Sequence, residues 1–467
     1  MTHYRLLVVT AFTVATVPRL AQRGMFVDGV TYATIARNLA AAHGSFWEPF
    51  YTATIYPRFH EHPPLGFWLQ SLWFRVLGDH WYVERLYSVA VAFSTAALIA
   101  LVWRRLNAAS AAQRFEWLPV LLWTAVPVVS WAIVGNLLET TVSLFTTAAL
   151  TAVVWGGLGG GELAAVVGGV IAGLSVVAAT LIKGPVGLFP LAAPLLLVPI
   201  TPSKRQAWIG LMAQWATFLV CLGVVLSADA ARSSLSQYID QQVVQALGGR
   251  REVSGSSVTI LTALFQGVIL PLTLAAGLIG AVARRVIAPT IAQRNAAIAF
   301  SLIGLSGTLP ILASPKQAGY YLVPAVPLYA MAVAMALVPT AMAATERIAA
   351  LGQTRIVGAV ASVLAVAAVV MALTPTLDRD RRRLADLDAV ASMLPRGGVI
   401  GICPEVNADW GLHAWVARRF AASLDAAHGE EREWFLQSDG APRRCVPAGC
   451  LPTTDSTRAL VLLHCGR

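Results

Sequence analysis

The chain has 467 residues, of which 57% are hydrophobic and only 12% are charged. Soluble globular domains carry about 25% charged residues, so this composition excludes a soluble enzyme and indicates an integral membrane protein. The formal net charge of +10 would suggest a nucleic-acid partner in a soluble protein. Here the cations cluster between apolar runs, where they would set the orientation of the chain in the membrane and contact lipid headgroups. No nucleic-acid partner is therefore expected.

Apolar runs of about 17–25 residues recur along the chain to residue 374, and each is long enough to cross a bilayer as a helix. No small-residue cleavage site follows the first run, so we interpret it as a retained span and not as a signal peptide. The predicted fold class is a polytopic α-helical membrane protein, with about 11 spans in a transmembrane domain at residues 1–375. The predicted spans are 5–22, 83–103, 117–134, 138–156, 162–181, 184–200, 206–227, 258–283, 294–313, 319–338 and 354–374.

The loop at residues 23–82 is too polar to enter lipid but is rich in aromatic residues, which favour the membrane–water interface. Within it, Pro64–Leu77 is apolar but only about 14 residues long, so we predict a helix that lies in the interface. The loop also carries Asp28, which is either the cap of a helix at 29–42 or a functional carboxylate. Arg37 lies about half a helix turn round from Asp28 and is expected to face water or lipid headgroups.

Basic residues set the predicted orientation. With Pro64–Leu77 outside the membrane core, most arginine- and lysine-containing loops fall on one side, which the positive-inside rule assigns to the cytoplasm. The loops 23–82 and 228–257 and the C-terminal tail then face the periplasm or the cell exterior. The expected location is the cell inner (plasma) membrane.

Three ionisable residues stand at the predicted outward ends of spans: Glu139 in GNLLETTVSLF, Lys183 in LIKGPVGLFP and Lys316 in ASPKQAGYY. Such residues are rare in membrane spans and usually functional. A carboxylate can activate an acceptor hydroxyl, and cations bind phosphate. The alternative is that Glu139 and Lys183 are merely interfacial, with Lys183 extending its ammonium group towards water.

The composition changes at about residue 376, and residues 376–467 are predicted to form a small extracytoplasmic α/β domain with strands at Arg432–Gln437 and Arg458–Cys465. In an oxidising compartment its four cysteines would form disulfides, with three possible pairings. The alternative is a zinc site that uses Cys445 and Cys450, although no matching histidines accompany them. The four cysteines are Cys403, Cys445, Cys450 and Cys465.

Taken in order, the polar motifs resemble those of a known family. They are D-x3-Y (Asp28 to Tyr32), E-H-P-P-L-x-x-W (Glu61 to Trp68), G-D-x4-E-R-L-x-S (Gly78 to Ser88), N-x2-E (Asn136 to Glu139), K-G-P (Lys183 to Pro185) and K-x3-Y-Y-L-V-P (from Lys316). The set is similar to that of the GT-C class of polyprenyl-phosphate-sugar glycosyltransferases, on the branch of the aminoarabinose transferases and the protein O-mannosyltransferases. The resemblance covers about residues 5–340 and leaves the tail out.

The resemblance implies a role for each matched residue. Asp28 would be the catalytic base, and Glu61 and Glu139 would be further catalytic acids. The donor phosphate would be bound by His62, Lys183 and Lys316, and the substrate site would be lined by Tyr32, Trp68, Tyr320 and Tyr321.

Three positions depart from the family pattern. Gly29 stands where the family often has Glu, His62 where it often has Lys, and Glu139 where it often has Asp. A histidine offers a positive charge only when protonated, so a phosphate contact at His62 would depend on pH.

The resemblance also implies a function. A sugar would pass from a polyprenyl-phosphate donor to a lipid, glycan or protein acceptor, such as lipid A, by an inverting displacement. No cofactor is identified, and a divalent metal is compatible with the family because some members bind one. The alternative class is a secondary transporter or lipid flippase, which would place its site near the bilayer midplane between repeated halves; no inverted repeat is evident. A structural subunit would need no acids at all.

Overall fold

The computed structural model describes residues 2–249, 256, 258–374, 379–394, 396–426, 432–438, 445–453 and 460–466. The chain divides into two compact units. The first unit consists of Met1–Ala21, Glu61–Gly66 and Arg85–Thr374, and the second of Gln22–His60, Phe67–Glu84 and the described part of Pro375–Arg467. The second unit thus adds segments of the loop 23–82 to the C-terminal residues, and the predicted domain boundary at residue 376 stays a prediction.

Helices dominate the described residues. They are α1 Thr2–Leu20, α2 Val27–Ala40, α3 Leu65–Leu77, α4 Val83–Leu106, α5 Trp117–Thr124, α6 Pro127–Val134, α7 Leu138–Gly157, α8 Gly161–Lys183, α9 Ala193–Leu196, α10 Lys204–Ser227, α11 Asp229–Tyr238, α12 Gln245–Leu247, α13 Thr259–Leu264, α14 Leu270–Ala283, α15 Ile291–Thr308, α16 Val326–Ala350, α17 Thr354–Ala372, α18 Arg381–Val390 and α19 Trp410–Phe420.

Among the described residues, eight helical segments are long and apolar enough to cross a membrane. A ninth results if α5 and α6, which are bent by 74° at their junction, are counted as one span. The predicted class, a polytopic helical membrane protein, is confirmed, whereas the number of 11 spans stays a prediction. The eight segments are Val83–Leu106, Leu138–Gly157, Gly161–Gly187, Lys204–Ser227, Thr259–Ala283, Ile291–Ala313, Gly319–Ala350 and Thr354–Ala372.

Proline gives two of the predicted spans a different form. The segment 117–134 breaks into α5 and α6, with Pro127 as the first residue of the second helix. The segment 184–200 contains four prolines and consists of short 3₁₀ and α pieces, with Phe189–Ile200 as its apolar helical part. At about 1.5 Å per residue this part is shorter than the hydrocarbon core of about 30 Å. Proline interrupts these helices because it lacks a backbone N–H and clashes with the preceding turn.

In the first unit, α7 and α8 form an antiparallel hairpin that small residues hold together. A Cβ atom placed on Gly168 would lie 2.6 Å from the carbonyl oxygen of Ala152, and one on Gly156 would lie 2.8 Å from that of Ala164. On its other side α8 packs against α10, where a Cβ on Gly173 would lie 2.7 Å from the Gln214 carbonyl oxygen. Close packing of this kind replaces the hydrophobic driving force that helices lack in lipid. The hairpin brings the start of α7 beside the end of α8.

The second unit contains a five-stranded sheet with the strand order β2-β1-β3-β5-β4. Strand β1 is parallel to β2 and β3, whereas β5 is antiparallel to β3 and β4. The predicted α/β character of the tail is therefore confirmed. The strands are β1 Val399–Ile402, β2 Ser423–Asp425, β3 Trp434–Ser438, β4 Cys450–Pro452 and β5 Leu460–Cys465.

The core of the second unit combines residues of α18, α19 and the sheet with Met25 and Val30 from the loop. Two disulfides, Cys403–Cys445 and Cys450–Cys465, select one of the three possible pairings. The alternative of a zinc site at Cys445 and Cys450 is wrong in this structure, because both sulfurs are in disulfides and a cysteine binds zinc only as a thiolate.

A buried arginine of α2, Arg37, links this helix to the end of α19 inside the second unit. Arg37 donates to the backbone carbonyl oxygens of Arg418 (2.9 Å) and Ala417 (3.0 Å) at the end of α19. Burial lowers the pKa of Arg37 to about 10, although Asp79 opposes this effect. The expectation that Arg37 faces water or lipid headgroups is therefore wrong, since it is 8% exposed and satisfies carbonyl groups that the helix leaves unpaired.

Candidate functional site

The K-G-P motif ends α8. Lys183 is the last residue of the helix, and Gly184 follows with a φ of +65°, a conformation that residues other than glycine rarely adopt. A Cβ atom on Gly184 would overlap the hydroxyl group of Tyr238, which also donates to the Lys183 carbonyl oxygen at 3.3 Å. The motif therefore fixes where the Lys183 side chain leaves the helix.

The N-x2-E motif leads into the start of α7 and fixes the position of Glu139 there. Asn136 adopts a left-handed conformation with a φ of +52° between α6 and α7, and its side chain accepts a hydrogen bond from Ser88 at 3.0 Å. Glu139 follows in the first turn of α7, where a carboxylate is favoured by the helix dipole. The motif therefore connects α6 to α7 and places a carboxylate in the first turn of α7.

Glu139 and Lys183 form a buried ion pair. The Lys183 ammonium donates to Oε1 of Glu139 at 2.6 Å, and the two side chains are 8% and 0% exposed, respectively. The other oxygen of Glu139, Oε2, has no hydrogen-bond partner among the described residues. The alternative that Lys183 extends its ammonium group to water does not hold, because that group is buried against a carboxylate.

Two neighbouring tyrosines face the same ammonium group. The Nζ atom of Lys183 lies 5.4 Å from the ring centre of Tyr321 and 5.9 Å from that of Tyr320, within the range of cation–π attraction. The two rings meet edge to face at 4.9 Å, and Trp131 stacks on Tyr320 at 5.4 Å. The predicted residues Lys183, Tyr320 and Tyr321 thus lie together.

The E-H-P-P-L segment reaches the same place through Gly66. A Cβ atom on Gly66 would lie 2.6 Å from a methyl group of Leu138 and 3.2 Å from one of Ile182. These residues directly precede Glu139 and Lys183 in the sequence. The segment that carries Glu61 and His62, both half-buried, therefore runs past the two helix ends that hold the ion pair.

Lys316 belongs to the turn before the 3₁₀ segment Gly319–Ala325. Its backbone N–H donates to the Ser314 hydroxyl at 3.2 Å, and the side chain of Gln317 anchors the turn by accepting from the Ile260 N–H at 2.9 Å. Lys316 is half-buried, four residues before Tyr320. The turn is thus tied to the start of α13 and leads directly into the tyrosine pair.

The remaining predicted site residues, Asp28, Tyr32 and Trp68, lie in the second unit. Helix α2 begins at Val27 with Phe26 at the N-cap position and no side-chain cap hydrogen bond. Asp28 is therefore inside the first turn of α2, and the alternative that it caps a helix at 29–42 is wrong. Tyr32, one turn further on, is 4% exposed and packs on Phe67 at 5.6 Å.

Tyr51 is a neighbour of Asp28 that the sequence did not reveal. Burial and the charge of the Asp28 carboxylate raise the pKa of Tyr51 to about 12, although a hydrogen bond with Thr31 opposes this effect. The phenol is therefore protonated at neutral pH and able to donate a hydrogen bond. Trp68 is half-buried and meets Phe46 edge to face at 6.3 Å.

Metal-ligating side chains come together in one place among the described residues, at Cys403, Glu405 and Cys445. The two cysteines form a disulfide, so the group lacks the thiolates that would hold a metal. At the ion pair, the Lys183 ammonium already supplies the positive charge beside Glu139. Neither the group of Cys403, Glu405 and Cys445 nor the Glu139–Lys183 pair fits a divalent metal site.

No protein-family model matches the chain, and no curated protein sequence matches it. Solved structures do match. ArnT from Cupriavidus metallidurans bound to undecaprenyl phosphate has a TM-score of 0.70 at 16% sequence identity, over 98% of this chain and 97% of that chain. ArnT in the apo state gives 0.65 at 17% identity over the same shares.

The Archaeoglobus fulgidus oligosaccharyltransferase in complex with Zn and sulfate gives a TM-score of 0.51 at 14% identity, over 93% of this chain and 68% of that chain. Together these comparisons show the fold. The resemblance to the GT-C glycosyltransferases that the sequence predicted is confirmed at that level.

Proposed function

We propose that the chain is an integral-membrane glycosyltransferase that moves a sugar from a polyprenyl-phosphate donor to an acceptor of the cell envelope. The observation that carries the proposal is the fold, which the chain shares from end to end with ArnT, a protein whose structure contains undecaprenyl phosphate. The buried ion pair and the tyrosine pair support it, because they occur at the motifs by which the sequence resembles this class.

The donor phosphate would be bound at the end of α8. Lys183 supplies a charged donor there, and Lys316 and a protonated His62 would add further positive charge around the leaving group. The Lys183 ammonium lies 2.6 Å from Oε1 of Glu139. Glu139 would therefore orient the ammonium group, which would bind Glu139 and the donor phosphate at the same time. Tyr320 and Tyr321 would line the same site.

Asp28 would act as the base. It would take the proton of the acceptor hydroxyl or amine while the acceptor oxygen or nitrogen attacks the anomeric carbon of the donor sugar. The bond from that carbon to the phosphate oxygen would break, and the polyprenyl phosphate would leave with the electron pair. One displacement without a covalent intermediate inverts the anomeric configuration. Tyr51 would donate a hydrogen bond near the Asp28 carboxylate and help to hold it.

The test is sugar transfer by the purified chain in nanodiscs. Asp28→Asn keeps the shape and hydrogen-bonding capacity of the side chain but cannot accept the proton. We expect it to remove transfer and to leave thermal stability unchanged. Asp229→Asn is the matched control, because Asp229 also lies in the first turn of a helix but is 91% exposed. Near-normal transfer by Asp28→Asn would show that the base is assigned wrongly.

Orientation is a separate part of the proposal. We propose that the residues after 380 face the periplasm or the cell exterior, because the basic loops then lie on the cytoplasmic side. An alkaline phosphatase fused to the C-terminus should be active and a green fluorescent protein fusion dark. The opposite pattern would contradict the orientation while leaving the transfer test untouched.

The acceptor is proposed only as a class: lipid A, another lipid, a glycan or a protein. Mass spectrometry of envelope glycans from a strain that lacks the chain should show the loss of one sugar substituent and thereby name both sugar and acceptor. An unchanged glycan profile with altered lipid distribution would instead support the transporter or flippase alternative.

A further inference from the structure

A cleft of about 450 Å³ opens in the second unit. Its lining includes Thr54 and Ile55 from the loop, Asn407 and Trp410 before and at the start of α19, and Leu424 and Asp425 of β2. The volume is within the range of about 300–1,000 Å³ of small-molecule sites in proteins. None of these residues takes part in the proposed transfer.

The cleft is held open by hydrogen bonds in its walls. The Thr54 hydroxyl donates to the Leu424 carbonyl oxygen at 2.7 Å, and the Ala53 N–H donates to the Ser423 hydroxyl at 2.9 Å. These bonds attach the loop to β2. On the opposite side, Asn407 follows a short 3₁₀ turn after Cys403, and Cys403 is fixed by its disulfide with Cys445. A binding site that is formed in advance loses little entropy on binding.

The largest side chain of the lining is solvent-exposed. Trp410 is 52% exposed, although it lies in the sheet-containing unit and outside the apolar helices that could contact lipid. Its indole ring, with Ile55, offers an apolar surface, while Asn407 and Thr54 offer amide and hydroxyl groups beside it. Asn407 is exposed, so its amide is accessible to a ligand as both donor and acceptor.

The charge of the cleft is balanced. The Asp425 carboxylate accepts from Arg432 at 2.6 Å, and the two side chains are 14% and 27% exposed, respectively. An ionic ligand would find no net opposite charge in such a lining. An acyl chain would cover the Asn407 amide without offering it a hydrogen-bond partner, which is costly. A sugar ring matches both features, because its C–H face packs on an indole ring and its hydroxyls pair with polar edges.

From this combination we propose that the cleft is a binding site for a neutral saccharide, the uncharged sugar part of a glycan. Trp410 forms the platform for the sugar ring, and Asn407 and Thr54 pair with its hydroxyls. The site goes beyond the proposed transferase activity and does not depend on it, because it is defined by binding alone.

The experiment is saturation-transfer difference NMR on the full-length chain in nanodiscs. The probes are glucose, galactose, mannose, N-acetylglucosamine, maltose, lactose and cellobiose, with inorganic phosphate and decanoate as competitors. We expect saturable binding of at least one saccharide that neither competitor displaces. Trp410→Ala should weaken it about tenfold or more, Asn407→Ala should weaken it less, and Trp410→Tyr should retain most of it.

Trp81→Ala is the matched control. Trp81 is 44% exposed in the same unit but does not line the cleft, so this variant should bind the saccharide normally. Asn407→Ala changes only an exposed amide, which keeps the test valid if Trp410→Ala fails to fold. The proposal is overturned if no saccharide binds saturably, if phosphate or decanoate displaces it, or if binding survives in both folded cleft variants.

Discussion

Two buried ion pairs, one in each unit, differ in how completely their carboxylates are hydrogen-bonded: both oxygens of Glu84 accept from Arg418, whereas within the described part of the chain only one oxygen of Glu139 accepts. In the second unit, the Arg418 guanidinium donates to Asp79 at 2.6 Å, to Glu84 at 3.1 Å and to the His80 carbonyl oxygen at 2.9 Å. In the first unit, Lys183 donates to Glu139 at 2.6 Å, and the second oxygen of Glu139 has no hydrogen-bond partner among the described residues. A group saturated by its neighbours has no capacity left for a ligand, whereas an unsatisfied buried oxygen needs an explanation.

The ion pair of Arg418 also has an electrostatic effect. Burial alone would lower the pKa of Arg418, but the charges of Glu84 and Asp79 outweigh it and raise the pKa. Arg418 is thus a fixed structural charge that holds α19 to the segment before α4. We interpret the Glu139–Lys183 pair as the functional counterpart, in which the carboxylate holds the ammonium group in place for an anionic ligand. Three predictions test this difference, and a fourth concerns a buried histidine of the second unit.

The largest effect should follow from the loss of Arg418. Arg418→Met leaves the Glu84 carboxylate, whose side chain is 2% exposed, without its cation, and removal of one partner from a buried pair costs about 3–5 kcal/mol. Denaturant unfolding of the second unit in detergent, followed by near-UV circular dichroism, measures this loss. Arg419→Met is the neighbouring control: its pair with Asp388 is partly exposed and should contribute less than about 1 kcal/mol. Equal losses in both variants would remove the distinction.

The next effect is on donor binding. Lys183→Gln and Lys316→Gln retain much of the side-chain packing but remove a charged donor, so polyprenyl-phosphate affinity should fall about tenfold to a hundredfold, or about 1.5–3 kcal/mol. Lys→Arg should restore part of the affinity with a different geometry. Lys204→Gln, at the exposed start of α10, is the matched control. Unchanged affinity in both test variants would leave the phosphate without the partners assigned to it.

A smaller effect is expected when both charges of the functional pair are removed together. The double variant Glu139→Gln with Lys183→Gln leaves no buried charge unpaired, so its unfolding free energy should lie within about 1 kcal/mol of that of the native chain. Glu139→Gln alone should be less stable than the double variant, because it leaves the buried ammonium without a carboxylate. Thermal unfolding in nanodiscs compares the three chains. A double variant as unstable as Arg418→Met would make the pair a structural element.

The last effect concerns a buried histidine of the second unit. His413 is 1% exposed, and burial lowers its pKa, so below about pH 6.5 the unfolded state binds the additional proton. Stability should therefore fall as the pH drops through this value, by at most about 1.4 kcal/mol per pH unit. His413→Leu should reduce the loss of Tm between about pH 7.5 and about pH 5.5. The exposed His43→Leu control should behave like the native chain, and an unchanged pH dependence in His413→Leu would contradict the prediction.

Local sequence patterns predicted the site residues that lie at helix ends. Lys183 before a Gly-Pro pair, and Glu139 three residues after Asn136, mark a helix stop and a helix start, and both elements formed there. The length of Pro64–Leu77 likewise predicted α3. The assignment of catalytic and phosphate-binding roles to these residues stays a prediction.

Structural features that depend on residues far apart in the sequence, or on very short patterns, were not predicted. Arg37 pairs with carbonyl groups about 380 residues further along the chain, and nothing near Arg37 indicates this. Strand β2 has three residues, too few to show the alternation that identifies strands. The disulfide pairing was left open because spacing alone does not decide among three possibilities.

The composition of the second unit has a consequence for biosynthesis. Its first segments, Gln22–His60 and Phe67–Glu84, are separated from its last segment by the 290 residues of Arg85–Thr374. At translation rates of about 5–20 residues per second, roughly 15–60 s pass before the ribosome begins the missing part. During that interval α2, with Asp28 in its first turn, has neither its α19 partner nor the sheet. A nonsense codon late in the gene would therefore leave the earliest loop of the nascent chain without its partner, however normally the helices between them insert.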